Sequence, residues 1–236
     1  MSASKGERIL RYQDLYRNYS RLGLTWPKDR PVAIDGLQSR LLDAFDTEGN
    51  FGIFDEGPQG GHLRRSLLWH RGNDVPHDPG LVPITFSDHS GSASAVPSWS
   101  WMAYSGGIDY LKLEFNGVEW MELKSPWTRV SWGNSPSVMP GQPGGVIALG
   151  GKARTFDVGK VDEGEICLIY DKTESLLAVE CVVLGIKQEG LFPAARRNYV
   201  LLVAPTPADG KTWRRVGVGY LPGSCISETW SSVVIV

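Results

Sequence analysis

Cysteine is scarce here: three residues, Cys167, Cys181 and Cys225, odd in number, far apart and set among apolar neighbours. That excludes a disulfide framework and points to reduced core thiols of an intracellular protein. Nowhere do ~18 apolar residues run together, and Met-Ser-Ala-Ser-Lys-Gly-Glu-Arg at the start carries no apolar signal core. Neither membrane attachment nor secretion is expected, and the expected location is the cytoplasm. Positive charge is not in excess, since 24 Lys and Arg stand against 26 Asp and Glu. With no basic run interleaved with aromatics, phosphate backbones find no electrostatic footing, and nucleic acid is not an expected partner.

The usual signatures of chemistry are missing as well. There is no Gly-x-Ser-x-Gly elbow, and the cysteines sit in apolar strands where a thiolate is disfavoured. Gly217-Val-Gly219-Tyr-Leu-Pro-Gly223 imitates part of a phosphate-binding loop, but Pro222 and the flanking β pattern make it strand and turn. The four histidines, His62, His70, His77 and His89, fall in one stretch with Asp74, Asp78 and Asp88. Their spacing matches no metal site, and a polar loop gathers such residues for solubility alone, so neither metal nor cofactor is expected.

Tryptophan is plentiful, nine residues, and Trp99, Trp101, Trp120, Trp127 and Trp132 cluster in one segment. Within Val96-Pro-Ser-Trp-Ser-Trp101, Pro97 biases the chain toward extension and the Ser-Trp-Ser-Trp alternation has the period of a strand. Both indoles then point to one face, either as core anchors or as the wall of a ligand site. Gly106-Gly107 supplies a turn and Ile108 to Phe115 alternates again, so the passage reads as a β-hairpin, and Asn116-Gly117 as the turn of the next one.

Upstream, Ser4-Lys-Gly-Glu7 has the form of a capping box. Ile9, Tyr12, Leu15, Tyr16, Tyr19 and Leu22 follow at helical spacing and predict an amphipathic helix ended by Gly23. A second helix opens at Asp29, with Pro31 in its first turn and Arg30 left free for pairing, and runs to before Gly49; a third covers Leu63 to Trp69. Residues 71–96 read as an irregular connection. After Pro97 only strands are predicted: 98–104, 108–115, 118–123, 127–132, 146–156, 165–170, 176–186, 199–203, 212–220 and 229–235. Leu176 to Ile186 and Tyr199 to Val203 are apolar almost throughout, so both their faces must be covered. The expected fold is α+β, a helical segment (1–70) packed on a mainly antiparallel β-barrel or β-sandwich of about ten strands (97–236) in one compact unit.

Five blocks stand in order along the chain: Tyr19-Ser20-Arg21, Leu24-Thr-Trp-Pro-Lys-Asp-Arg30, Ala33-Ile-Asp-Gly-Leu37, Ser66-Leu-Leu-Trp69 and, most specific, Pro97-Ser-Trp-Ser-Trp101. In that order they resemble the region C-terminal to the HET domain in fungal heterokaryon-incompatibility proteins. The HET block itself has no counterpart here, so neither cell-death execution nor NAD-directed chemistry is carried over to any residue. Where relatives place an aromatic-Gly-Leu-Trp segment, this chain reads Asn50-Phe-Gly-Ile-Phe-Asp-Glu-Gly57, with Asp55 and Glu56 where apolar side chains are expected.

Two readings of function follow. The resemblance implies an accessory or recognition module for self/non-self discrimination, binding a protein partner or a small trigger. The alternative is a free-standing β-barrel that binds a small organic ligand, extending to a cofactor-free cyclase or isomerase of fungal secondary metabolism rather than a redox enzyme, kinase or nucleophilic hydrolase. For that alternative Trp99, Trp101 and Tyr104 are the candidate pocket wall, and Asp55, Glu56 or His70 the candidate acid or base. An enclosed cavity with an indole exposed into it favours the ligand reading, and a filled core with apolar side chains outside favours the partner.

Overall fold

In the computed structural model, which describes residues 4–57, 60–73, 80–86, 96–127, 147–159, 163–172, 178–189, 192–207 and 210–236, the capping box forms as written. Ser4 Oγ accepts from Glu7 N (3.3 Å) and Ser4 N donates to Glu7 Oε2 (2.7 Å). Helix α1 (Lys5–Ser20) buries Ile9, Tyr12 and Tyr16 on one face. It stops at Ser20, ahead of Gly23, and there the Ser20 hydroxyl turns inward, donating to Arg17 O (2.8 Å) and accepting from Ile108 N (2.9 Å). A 3-10 turn, Pro27–Asp29, leads into α2 (Arg30–Phe45), which ends on Asp46 in the left-handed region.

The carboxylate-bearing segment after α2 is a hairpin of β1 (Glu48–Asn50) and β2 (Ile53–Asp55), turned by Phe51 and Gly52 at positive φ. Gly52 also meets a steric demand: a Cβ there would lie 2.1 Å from Trp101 Nε1. Next come α3 (His62–Leu67), β3 (Trp69–Arg71) and β4 (Val82–Pro83).

The two hairpins expected after Pro97 do not form. Residues 98–104 are mostly a turn: Ser100 Oγ accepts from Met102 N (3.0 Å) and caps a 3-10 turn over Trp101–Ala103, and only β5 (Tyr104–Ser105) is extended. Hydroxyl-to-backbone bonds of this kind compete with a strand, and here they win over the alternation. β5 pairs with β4, whereas β6 (Ile108–Tyr110) pairs with β3, so Gly106-Gly107 joins two different sheets. Asn116-Gly117 does turn, with Gly117 at φ 75°, but the following β7 (Val118–Trp120) joins the barrel instead of folding back on β6. The strand expected at 127–132 falls largely outside the described residues.

The barrel is built from strands at five of the predicted places, two of them the apolar runs: β8 (Leu149–Arg154), β10 (Glu180–Lys187), β11 (Arg197–Pro205), β12 (Trp213–Pro222) and β13 (Ser231–Ile235), with β9 (Cys167–Tyr170) lying on β12. β10, β11 and β12 form an antiparallel meander, β13 pairs antiparallel with β8, and β8 pairs with β10. The ring closes through one parallel residue pair, Trp213 with Ile235. The architecture is thus α+β, N-terminal helices with a closed five-stranded barrel and extra strands. Along β11, Tyr199, Leu201 and Val203 enter the core shared with the helices, while Val200, Leu202 and Ala204 enter a second cluster with Cys181 and Leu221. Both faces of that strand are covered, as its composition requires. Among the described residues no helix is long and apolar enough to cross a membrane.

One ion pair fastens the barrel to the rest. Arg215 on β12 is 1% exposed and binds Asp171 through two bonds, Nε to Oδ2 (3.0 Å) and Nη2 to Oδ1 (3.1 Å). Nη1 donates to Leu67 O (2.9 Å) at the end of α3, Nη2 also reaches Trp69 O, and the guanidinium lies 3.2 Å from the Trp69 ring centroid. A planar fork satisfied on both edges suits burial as an ammonium would not. Nothing in the sequence reading singled out this pair. Its trace is the second of two arginines in Trp213-Arg-Arg-Val-Gly-Val218, followed at once by apolar residues.

Candidate functional site

Trp99 and Trp101 are both fully buried, and Tyr104 nearly so. Trp101 is held by Tyr16 (ring centroids 5.2 Å) and Tyr19 (6.1 Å) of α1, and Trp99 meets Trp127 edge-on at 5.9 Å. Trp99 O accepts from Trp69 Nε1 (3.0 Å), and the Tyr104 hydroxyl donates to Ser98 O (3.1 Å). The two indoles therefore serve different neighbours instead of sharing one strand face. The three clefts described below and at the barrel's Lys187–Arg197 edge, all formed by described residues, are not lined by any of these three side chains.

Asp55 and Glu56 do come together, at the end of β2. They line a cleft of about 500 Å³ with Asp46, Thr47, Glu48, Gly57 and Trp127. Asp55 is buried and accepts from Gly57 N (2.9 Å). Glu56 takes Lys5 Nζ on both oxygens (2.7 and 2.8 Å) and His62 N on Oε1 (3.0 Å). Burial opposes its charge, but the Lys5 bond, the His62 imidazole and the backbone N–H outweigh it and hold the carboxyl below the usual range. The His62 ring approaches Glu56 Oε2 at 3.5 Å without a hydrogen bond, and neither ring nitrogen has a partner. Burial pushes this imidazole below its ordinary value despite Glu56, so it is neutral near pH 7. A neutral imidazole beside an ionised carboxylate is the composition of an acid–base pair. Its side chain is only 4% exposed, however, and is turned toward Phe45.

His70 stands apart from that cleft. It lies on β3 in register with Asp109, its Nδ1 is 2.7 Å from Arg71 O, and burial lowers its pKa. His77, His89, Asp74, Asp78 and Asp88 lie outside the described residues, and among the described residues no three His, Cys, Asp or Glu side chains converge as metal ligands. Burial pushes the Cys181 thiol up to about 12, so it offers no thiolate near neutral pH.

A second cleft, about 460 Å³, lies between the end of α1, the start of α2 and the 105–107 turn, lined by Ser20, Arg21, Leu22, Arg30, Ser105, Gly106 and Gly107. Arg21 is engaged, donating to Ile108 O (2.6 Å) and Asp109 Oδ2 (3.1 Å). Arg30, which the sequence left free of the helix cap, is 3% exposed beneath it. No family model, curated protein or solved structure matches the chain.

Proposed function

We propose that the chain is a recognition module, allied to the region that follows the HET domain in fungal self/non-self proteins, and that it binds a protein partner at the α1–α2 turn. The observation that carries this reading is exposure: Trp26 is 64%, Leu22 57% and Val32 79% exposed around that turn. A short connection between helices ordinarily carries polar side chains, and large apolar groups held in water there are the usual mark of a contact surface. The same block, Leu24–Arg30, is one on which the resemblance rests. The burial of Trp99 and Trp101 supports the reading further, since their area goes to the core and not to a ligand wall. The cyclase or isomerase alternative needs those indoles as walls and has less support.

The test is photo-crosslinking in extract of the native organism. A benzophenone amino acid at position 26 is expected to yield a discrete adduct that the same group at the exposed Val158 does not. Affinity for the partner so identified should fall roughly tenfold or more in Leu22→Ser/Trp26→Ser, with an unchanged melting temperature. Equal adducts from both positions, or unchanged affinity in the double variant, would sink the reading.

A further inference from the structure

The geometry points to a carboxylate-binding site in the cleft over Arg30, for an acid group carried on an apolar body. A guanidinium has five N–H donors. In Arg30 two find acceptors: Nη2 at Ser20 O (3.1 Å) and Nη1 at Gly106 O, a long 3.4 Å. Nε has no partner. The cation faces the Trp101 ring at 5.8 Å, which offsets part of its charge, but no carboxylate among the described residues pairs with it, and Asp29, its neighbour in sequence, forms no ion pair with it. Burying a cation without a counter-charge is costly, and removing water from it strengthens whatever anion arrives.

Arg30 is itself one of the residues lining the cleft, with its guanidinium buried beneath the surface. Gly106, whose carbonyl Nη1 reaches only weakly, lines the cleft, and so does Ser105. The surrounding charges leave one cation over: Arg17 and Arg21 are matched by Asp14 and Asp109 at 2.6 to 3.1 Å, and Arg30 is unmatched. A single planar fork with one net charge fits a carboxylate, which takes two parallel N–H bonds, better than a doubly charged phosphate. Leu22 borders the cleft with its side chain largely in solvent, and gives the ligand's apolar part a surface.

A free organic acid and the C-terminus of a peptide present the same group, and the experiment separates them. Calorimetry on the full chain would use phenylacetate, phenylacetamide, inorganic phosphate, and acetyl-Phe-Leu with a free or an amidated end, with the Trp101 indole N–H resonance as a local reporter. Saturable binding of at least one carboxylate form is expected, roughly tenfold or more tighter than its amide. Whichever of the acid and the peptide binds more tightly identifies the source. Arg30→Met removes the binding. Leu22→Glu, a change at an exposed position, places a competing carboxylate at the rim and weakens binding by a similar factor without altering the fold. Amide and acid binding alike, phosphate binding more tightly than both carboxylates, binding retained in either variant, or no carboxylate binding by the folded wild type would each overturn the assignment.

Discussion

Arg215 and Arg30 are buried to nearly the same degree, yet Arg215 meets the edge of a carboxylate and Arg30 meets none. Arg215 also donates to Leu67 O and Trp69 O, so its position is determined by three segments at once. Arg30 holds two carbonyls, one of them loosely, and borders a cleft. The difference separates two uses of the same side chain. One is a closed tie between barrel and helices, and the other is a charge whose counter-ion the fold does not supply.

The comparison can be broken most severely at the seam. Asp171→Ala strands Arg215 as an unpaired buried cation and is expected to cost about 3–5 kcal/mol, read by denaturant unfolding. A smaller loss would mean that water reaches the pair. Replacing both partners, Arg215→Met with Asp171→Leu, should return stability to within ~2 kcal/mol of wild type, because the desolvation cost disappears with the attraction. At the cleft the sign should differ. Arg30→Met is expected to leave stability within about 1 kcal/mol of wild type or to raise it, by the same unfolding measurement. A loss comparable with that of Asp171→Ala would make Arg30 a second tie.

The smallest expected effect concerns pH and sets a background for the others. Acid sensitivity just below neutrality is expected from the buried imidazoles. Burial, opposed in part by nearby acceptors, holds His62 and His70 below their ordinary value of 6.5. The unfolded chain therefore binds the proton first, and stability is full above pH 6.5 and declines as pH falls through the window beneath it. His62→Gln should flatten that decline in unfolding curves collected between pH 7 and 5. Glu56, held below its ordinary value of 4.5 against the opposing effect of burial, contributes in the same direction at lower pH, losing its stabilisation as pH falls through its folded value.

How far the sequence could be read depended on where each signal resides. The central barrel strands β10 and β11 were legible because covering both faces leaves an apolar run, as in Tyr199 to Val203, and α1 because its cap and spacing are local. Ser98 to Tyr104 misled because alternation is silent about the Ser100 hydroxyl, which bonds Met102 N and Phe51 O and makes a turn. Asn116-Gly117 specified positive φ but not the partner strand. In the candidate site, the pairing of Asp55 with Glu56 needed only adjacency. The approach of His62 to Glu56, the burial of Arg30 and the meeting of Arg215 with Asp171 are long-range placements, which no window of residues encodes.

The parallel contact between β12 and β13 has a consequence for how the molecule comes apart. Every other seam of the ring is antiparallel and spans two or more residue pairs, whereas this one has a single pair, Trp213 with Ile235, helped by the Val236 N–H on Trp213 O (2.9 Å). Under mechanical load or in hydrogen exchange, that stave should part first. The cylinder would then unroll into a sheet whose newly bared margin is a site for strand exchange between copies.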